Sequence, residues 1–223
     1  MTIQIRAGHL MEELSGQVGG AELYESRSQE TPVRFRAGAL ESVKSVETIG
    51  RALRVIHEGR VGFSTTTDLA DDKTLVQNAL QSVQFGGPAP FDFPTKQPAA
   101  SVQCFDPEVD GIKTAEMIAL GEEIVEKLKA YDPGLQIDVS VSKAVEQISL
   151  LNTSGLAAED RRTLYSLSFQ VMRTRGDDIQ ILWDSAASHA AREIDPLAMV
   201  ERLIERIRWA ERTARVESKA MPV

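Results

Sequence analysis

Hydrolytic chemistry on a metal ion needs several ligands converging on one point, such as two histidines one helical turn apart with a carboxylate between them. The three histidines of this chain supply no such pair. His9 and Glu13 stand one turn apart in a segment that reads as helix, but two ligands near a terminus make a poor site, and a solvated polar face is the plainer reading. His189 and Glu193 are also four apart. In an extended run, at ~3.3 Å per residue, they would lie ~13 Å from each other, beyond the reach of a common ion. His57 and Glu58 flank a turn, where acid–base work is conceivable and a polar strand end is commoner. Cys104 has no basic neighbour in sequence to lower its pKa and no Cys/His framework around it, which argues against a nucleophile. Neither a GxxxxGK loop nor a GxGxxG turn is present to cradle a phosphate.

The arginines carry a different kind of chemistry. Arg27, Arg34, Arg36, Arg54 and Arg60 fall within one strand-rich stretch that ends in Ser64, Thr65, Thr66 and Thr67. One reading is a solvated sheet face. The sharper one is that Arg34, Arg36, Arg54, Arg60, Ser64 and Thr65 line a cleft for an extended peptide. The guanidinium groups would meet carboxylates there, and the peptide would enter by strand addition. Arg175-Gly176-Asp177 and the acidic pairs Asp71-Asp72, Glu122-Glu123 and Asp177-Asp178 read as turns, helix starts and exposed faces.

These residues are positioned by a hairpin over Gly50 to Asp68. Leu53 and Val55 alternate with Arg54 and Ile56, and Val61 and Phe63 alternate with Gly62 and Ser64, while Glu58-Gly59 reverses the chain. Upstream, Leu10, Met11, Leu14 and Val18 predict a helix over about Arg6 to Val18, stopped by Gly19-Gly20. Residues 21–66 divide into four or five strands of an antiparallel meander, with turns expected at Glu30 to Pro32, Gly38, near Gly50 and at Glu58-Gly59. Val33 and Phe35 face one side and Arg34 and Arg36 the other, so one face is apolar and needs a cover. Leu75, Val76, Ala79, Leu80 and Val83 form a helical stripe over about 71–84 that provides one.

Residues 85–110 are rich in proline, contain Gly86-Gly87 and show no steady period, so they read as a long connector packed down by Phe91, Phe93 and Phe105. After Gly111 and Thr114, an amphipathic helix through Met117, Ile118, Leu120, Ile124, Val125, Leu128 and Tyr131 is expected, ended by Asp132-Pro133-Gly134. Strands are expected over Ile137 to Val141, from Ile148, over Tyr165 to Val171 and over Ile179 to Trp183, with turns at Asn152 to Gly155 and Arg175 to Asp177. Asp195-Pro196 caps a last helix running to Ala214. Segregated strands and helices predict a two-layer α+β fold, antiparallel sheets against amphipathic helices, in two similar halves that a duplication would give. The expected organisation is one domain, subdivided into 1–84 and 111–223 by the connector 85–110.

A chain of 223 residues with 42% hydrophobic content can bury a core. A net charge of −8 argues against gripping nucleic acid through phosphate neutralisation. The single cysteine cannot form an internal disulfide and fits a reducing compartment. No run approaches the ~20 apolar residues of a membrane span, and MTIQIRAGHLMEEL lacks a signal-peptide layout, so a soluble cytoplasmic protein is expected.

Four pieces in order, ESRS at Glu25 to Ser28, VRFRAGALESV at Val33 to Val43, GRVGFSTTTDL at Gly59 to Leu69 and LLNTSGL at Leu150 to Leu156, resemble the amino-terminal half of the TldD/PmbA family. That family is historically labelled modulators of DNA gyrase and contains peptide-processing metalloproteases. The resemblance implies zinc held by an HExxxH motif in a carboxy-terminal half that this chain does not contain, the residues SKAMPV falling about where the family passes from one half to the other. It implies no metal or other cofactor in this chain, homodimers or heterodimers with a TldD/PmbA-type subunit, and a peptide substrate. The expectation is a non-catalytic module for dimer assembly and peptide enclosure; its rival is an independently encoded peptide- or protein-binding module with no protease half.

Overall fold

The computed structural model describes residues 2–95 and 102–211. Seven strands hydrogen-bond in one sheet, with helices beside them, an α+β fold. The strands are β1 (Gly20–Arg36), β2 (Ala39–Val43), β3 (Val46–His57), β4 (Arg60–Thr66), β5 (Gln136–Asn152), β6 (Ala157–Arg175) and β7 (Asp178–Ser188). Their order is β4-β3-β1-β5-β6-β7, with β2 paired to β1. By backbone contacts the chain forms two units. Unit 1 holds Met1–Glu30, Ser45–Asp106 and Ala144–Thr163; unit 2 holds Thr31–Lys44, Pro107–Lys143 and Leu164–Val223.

Unit 1 is built on the antiparallel ladder from Gly20↔Ile56 to Glu30↔Val46 and on the β3–β4 hairpin, in register from His57↔Arg60 to Arg51↔Thr66. Glu58 and Gly59 both take positive φ, 52° and 73°, which lets two residues reverse the chain with the twist the strands need. Leu23, Leu53 and Val55 share one face and are fully buried with Leu10, Met11 and Leu14 of α1 (Thr2–Leu14) and Leu75 and Ala79 of α2 (Asp72–Ser82). Each such leucine contributes about 1.5–3 kcal/mol of transfer free energy. A Cβ on Gly62 would stand 2.2 Å from the Ala79 carbonyl, so this glycine lets α2 press onto β4.

Unit 2 places α4 (Thr114–Tyr131) and α5 (Pro196–Ala210) over Val33, Phe35, Ile137, Val139, Leu167 and Phe169. Gly121 admits the Phe35 ring, which a Cβ would meet at 2.2 Å. Lys143 Nζ donates to the carbonyls of Asp110 and Ile112 at 2.7 and 2.6 Å, closing the end of the short α3 (Pro107–Gly111). The Asp195 carboxylate accepts from Leu197 N and Ala198 N, and Pro196 opens α5, as the sequence predicts.

Several expected boundaries differ. The first helix ends at Leu14, four residues short of Val18, because Gly16 turns the chain at φ 88°. β1 runs through Glu30 to Pro32 and β3 through Gly50, where turns were expected. Pro32 lacks a donor, but its carbonyl still accepts from Lys44 N at 3.1 Å, and Gly50 keeps register opposite Ser26. β1 pairs with β3 along its first part and β2 along its last, so the strands are not a simple meander. Residues 136–152 form one strand instead of two, since nothing between Ser142 and Gln147 is a turn former. Part of the connector, residues 96–101, and the helix extension to Ala214 lie outside the described residues.

Candidate functional sites in each unit

In unit 1 strand alternation separates the residues expected to share a cleft. Arg54 lies opposite Phe63, and Thr65 opposite Ala52, on one face; Ser64 lies opposite Leu53 on the other and is buried at 8% exposure. Arg60 donates to the Gly86 carbonyl at 2.8 Å. Arg54 donates to Glu22 Oε1 at 2.5 Å and sits 5.7 and 5.1 Å from the Phe91 and Phe93 ring centres, so its charge holds the connector to the sheet.

An arginine that the sequence reading passed over is the most enclosed. Arg51 shares the core face with Leu53 and Val55, its side chain 1% exposed. It donates to Glu25 Oε1 at 2.7 Å, Asp72 Oδ1 at 2.5 Å and the Leu69 carbonyl at 3.2 Å. A guanidinium offers five donors in a fixed fork, and here the fork ties β1, β3 and the start of α2 together. The signal was the parity of Arg51 with Leu53, which places it inward.

Beside this triad unit 1 has a cleft of about 760 Å³, lined by Glu25, Arg27, Cys104, Phe105, Asp160 and Arg161 among others. Arg27 pairs with Glu47 at 2.9 Å, and the Arg161 guanidinium lies 4.0 Å from the Phe105 ring centre. At its rim Glu146 accepts from Ser26 Oγ and from Arg162, and that carboxylate holds the Arg162 guanidinium above its ordinary pKa.

Unit 2 has a second cleft, of about 460 Å³, on the sheet face opposite its helices. Arg34 and Arg36 line it with Ser140, Ser168, Gln170 and Trp183. Arg36 lies 3.4 Å from Glu41, and Asp138 accepts from Ala37 N at 2.8 Å. Asp184 Oδ2 stands 3.2 Å from Arg202 Nη2, an ion pair without hydrogen-bond alignment. Arg34 and Arg36 therefore belong to one unit, and Arg54, Arg60, Ser64 and Thr65 to the other.

The histidines do not fit zinc. His9 Nδ1 is 3.5 Å from Glu12 Oε2 on an exposed helix face, and His189 Nδ1 is 3.9 Å from Glu193 Oε2. The ~13 Å expected for the second pair is wrong because Ala191–Glu193 is a 3₁₀ turn and not extended chain. Among the described residues no three His, Cys, Asp or Glu side chains group to hold a metal. No described helix is long and apolar enough to cross a membrane.

An antiparallel α+β scaffold with two such clefts defines a class of two-part domains. Residues 21–83 match the PmbA/TldA metallopeptidase domain 1, and residues 107–211 match the PmbA/TldA metallopeptidase central domain. The chain belongs to the PmbA/TldD metallopeptidase family. Its fold is that of TldE from Thermococcus kodakarensis, with TM-score 0.81 at 13% identity over 92% of this chain and 48% of that one. A candidate modulator of a DNA gyrase from Thermotoga maritima gives 0.78 at 15% identity, covering 91% and 47%. A candidate modulator of DNA gyrase from Bacteroides thetaiotaomicron gives 0.77 at 16%, covering 91% and 49%. The chain thus spans about half the length of each of these structures. No curated protein matches it in sequence.

Proposed function

We propose that this chain is a non-catalytic module of a TldD/PmbA-type metallopeptidase system, serving assembly with a second family subunit and enclosure of a peptide substrate. The observation that carries the reading is the pair of successive domain matches, domain 1 and the central domain, over residues 21–83 and 107–211. The reading places zinc on an HExxxH-bearing segment outside these residues and assigns peptide contacts to sheet faces that carry arginine. It makes the partner a subunit of the same family, in a homodimer or heterodimer. It places the protein in the cytoplasm, where the free Cys104 stays reduced. The net charge of −8 supports a peptide and not DNA as the ligand.

The test is to mix the purified chain with a TldD/PmbA-type subunit that carries HExxxH, then measure mass by light scattering, zinc content and cleavage of an unfolded peptide. The reading expects a complex in which zinc and cleavage follow the partner. Stoichiometric zinc together with cleavage by the chain alone would overturn it, and a chain that binds peptide but never the subunit would support an independent binding module.

A further inference from the structure

The open sheet face of unit 2 has an asymmetry of charge. Arg36 has Glu41 at 3.4 Å, and the bonds from Ala37 N to Asp138 and from Gly38 N to the Ile137 carbonyl bring Asp138 alongside it. Arg34 lines the same cleft together with Ser140, and on the β2 side it is paired with Ser42. Arg34 is exposed and has no carboxylate partner among the described residues. Its guanidinium fork therefore keeps its donors available, in the geometry that matches a carboxylate.

At the other end of the cleft stands an apolar stripe. Ile179, Ile181 and Trp183 alternate on β7, 61%, 54% and 59% exposed, on the face they share with Gln170 and Met172. Because β7 ends the strand order, a peptide could in principle add to its edge. That route is obstructed at its centre, where Arg206 Nη1 donates to the Trp183 carbonyl at 2.7 Å and Arg202 pairs with Asp184. The face is open where the edge is not.

We infer that this face binds an acidic extended peptide laid across the strands, with an internal Asp or Glu side chain on Arg34 and an apolar side chain against Trp183 and Ile181. From β1 to β7 is three strand intervals, about 14 Å at ~4.8 Å each, and four residues of extended peptide cover ~13 Å. The two anchors are therefore positions i and i+4 of the peptide, which an extended chain points to the same side. Ser140, Ser168 and Gln170 lie between them and offer hydroxyl and amide groups to the peptide backbone. The cleft is open along the sheet, so the chain passes through it and the carboxylate comes from a side chain instead of a terminus.

This inference rests on the peptide-enclosing role proposed above and gives that role a place and a substrate class. The probe is a labelled, capped peptide of serine and glycine with one glutamate and, four positions later, one phenylalanine, titrated against the full chain by fluorescence anisotropy. Saturable binding is expected, weakened about tenfold to a hundredfold by Arg34→Ala, as loss of a charge-assisted hydrogen bond implies, and at least tenfold by Trp183→Ala. The exposed control Lys127→Ala should bind as the parent does. Moving the phenylalanine to i+3, or replacing the glutamate by lysine, should abolish binding. Absence of saturable binding, equal binding by Arg34→Ala, or equal binding of an uncapped peptide without glutamate would overturn the assignment. If the chain still joins its family subunit while the peptide fails, only this inference falls; if the subunit is not joined, the wider reading falls.

Discussion

Two arginines of similar sequence context do opposite work. Arg51 is 1% exposed at the side chain and spends its donors inside unit 1, whereas Arg34 is exposed and spends none. Arg51→Ala would leave Glu25 and Asp72 without their counter-ion. Stripping one partner from a buried ion pair costs ~3–5 kcal/mol. Asp72 is 25% exposed, so a loss of about 3 kcal/mol is expected, read as a fall in the urea midpoint. Arg34→Ala should leave that midpoint unchanged, because nothing folded depends on it. Tyr165 offers a pH test. It is 6% exposed, and burial holds its phenol above the ordinary 10.0. The fold therefore favours the neutral form: its contribution is fully present below pH 10.0 and is lost as pH rises through the raised value. A urea midpoint that stays constant from neutral pH to well above 10.0 would show that Tyr165 is not buried as described.

Among the elements, those closed by local chemistry were readable in advance and those closed by long-range pairing were not. Glu58-Gly59, Asn152 to Gly155 and Asp195-Pro196 announce themselves because each satisfies its own backbone. Asn152 Oδ1, for example, accepts from Ser154 N and Leu156 N at 3.0 Å. Asp195→Ala would free the N–H groups of Leu197 and Ala198 and should lower stability by ~1 kcal/mol, measured by denaturation. Asp195→Asn, which keeps an acceptor, should recover most of that. Pro32 and Gly50 misled for the converse reason. Their usual role is to break strands, yet here the pairing of β1 with β2 carries Pro32 through and the pairing of β3 with β1 carries Gly50 through. The candidate site suffered similarly: Ser64 and Thr65 are neighbours in sequence, and the pleat sends one to the core and the other to solvent.

For the molecule as a whole, a net charge of −8 sets the partners it can hold by electrostatics alone. Duplex DNA should show no retardation by this chain in a mobility assay even at low salt, where phosphate contacts are strongest; a salt-sensitive shift would contradict the charge argument. What the linear chain determined by itself was its class. Alternating and helical periodicities, local caps and the order of four short motifs sufficed for an α+β member of the TldD/PmbA family, because those signals are carried by residues close together in sequence. The tertiary structure alone decided which carboxylates the buried Arg51 meets, which arginine is free, and how the chain divides. β1, β5 and β6 each give one stretch to one unit and the next to the other, so the units interleave along the sequence. Whether a guanidinium meets a carboxylate depends on strands distant in the chain coming into register, and that information is held in the pairing and not in any one segment.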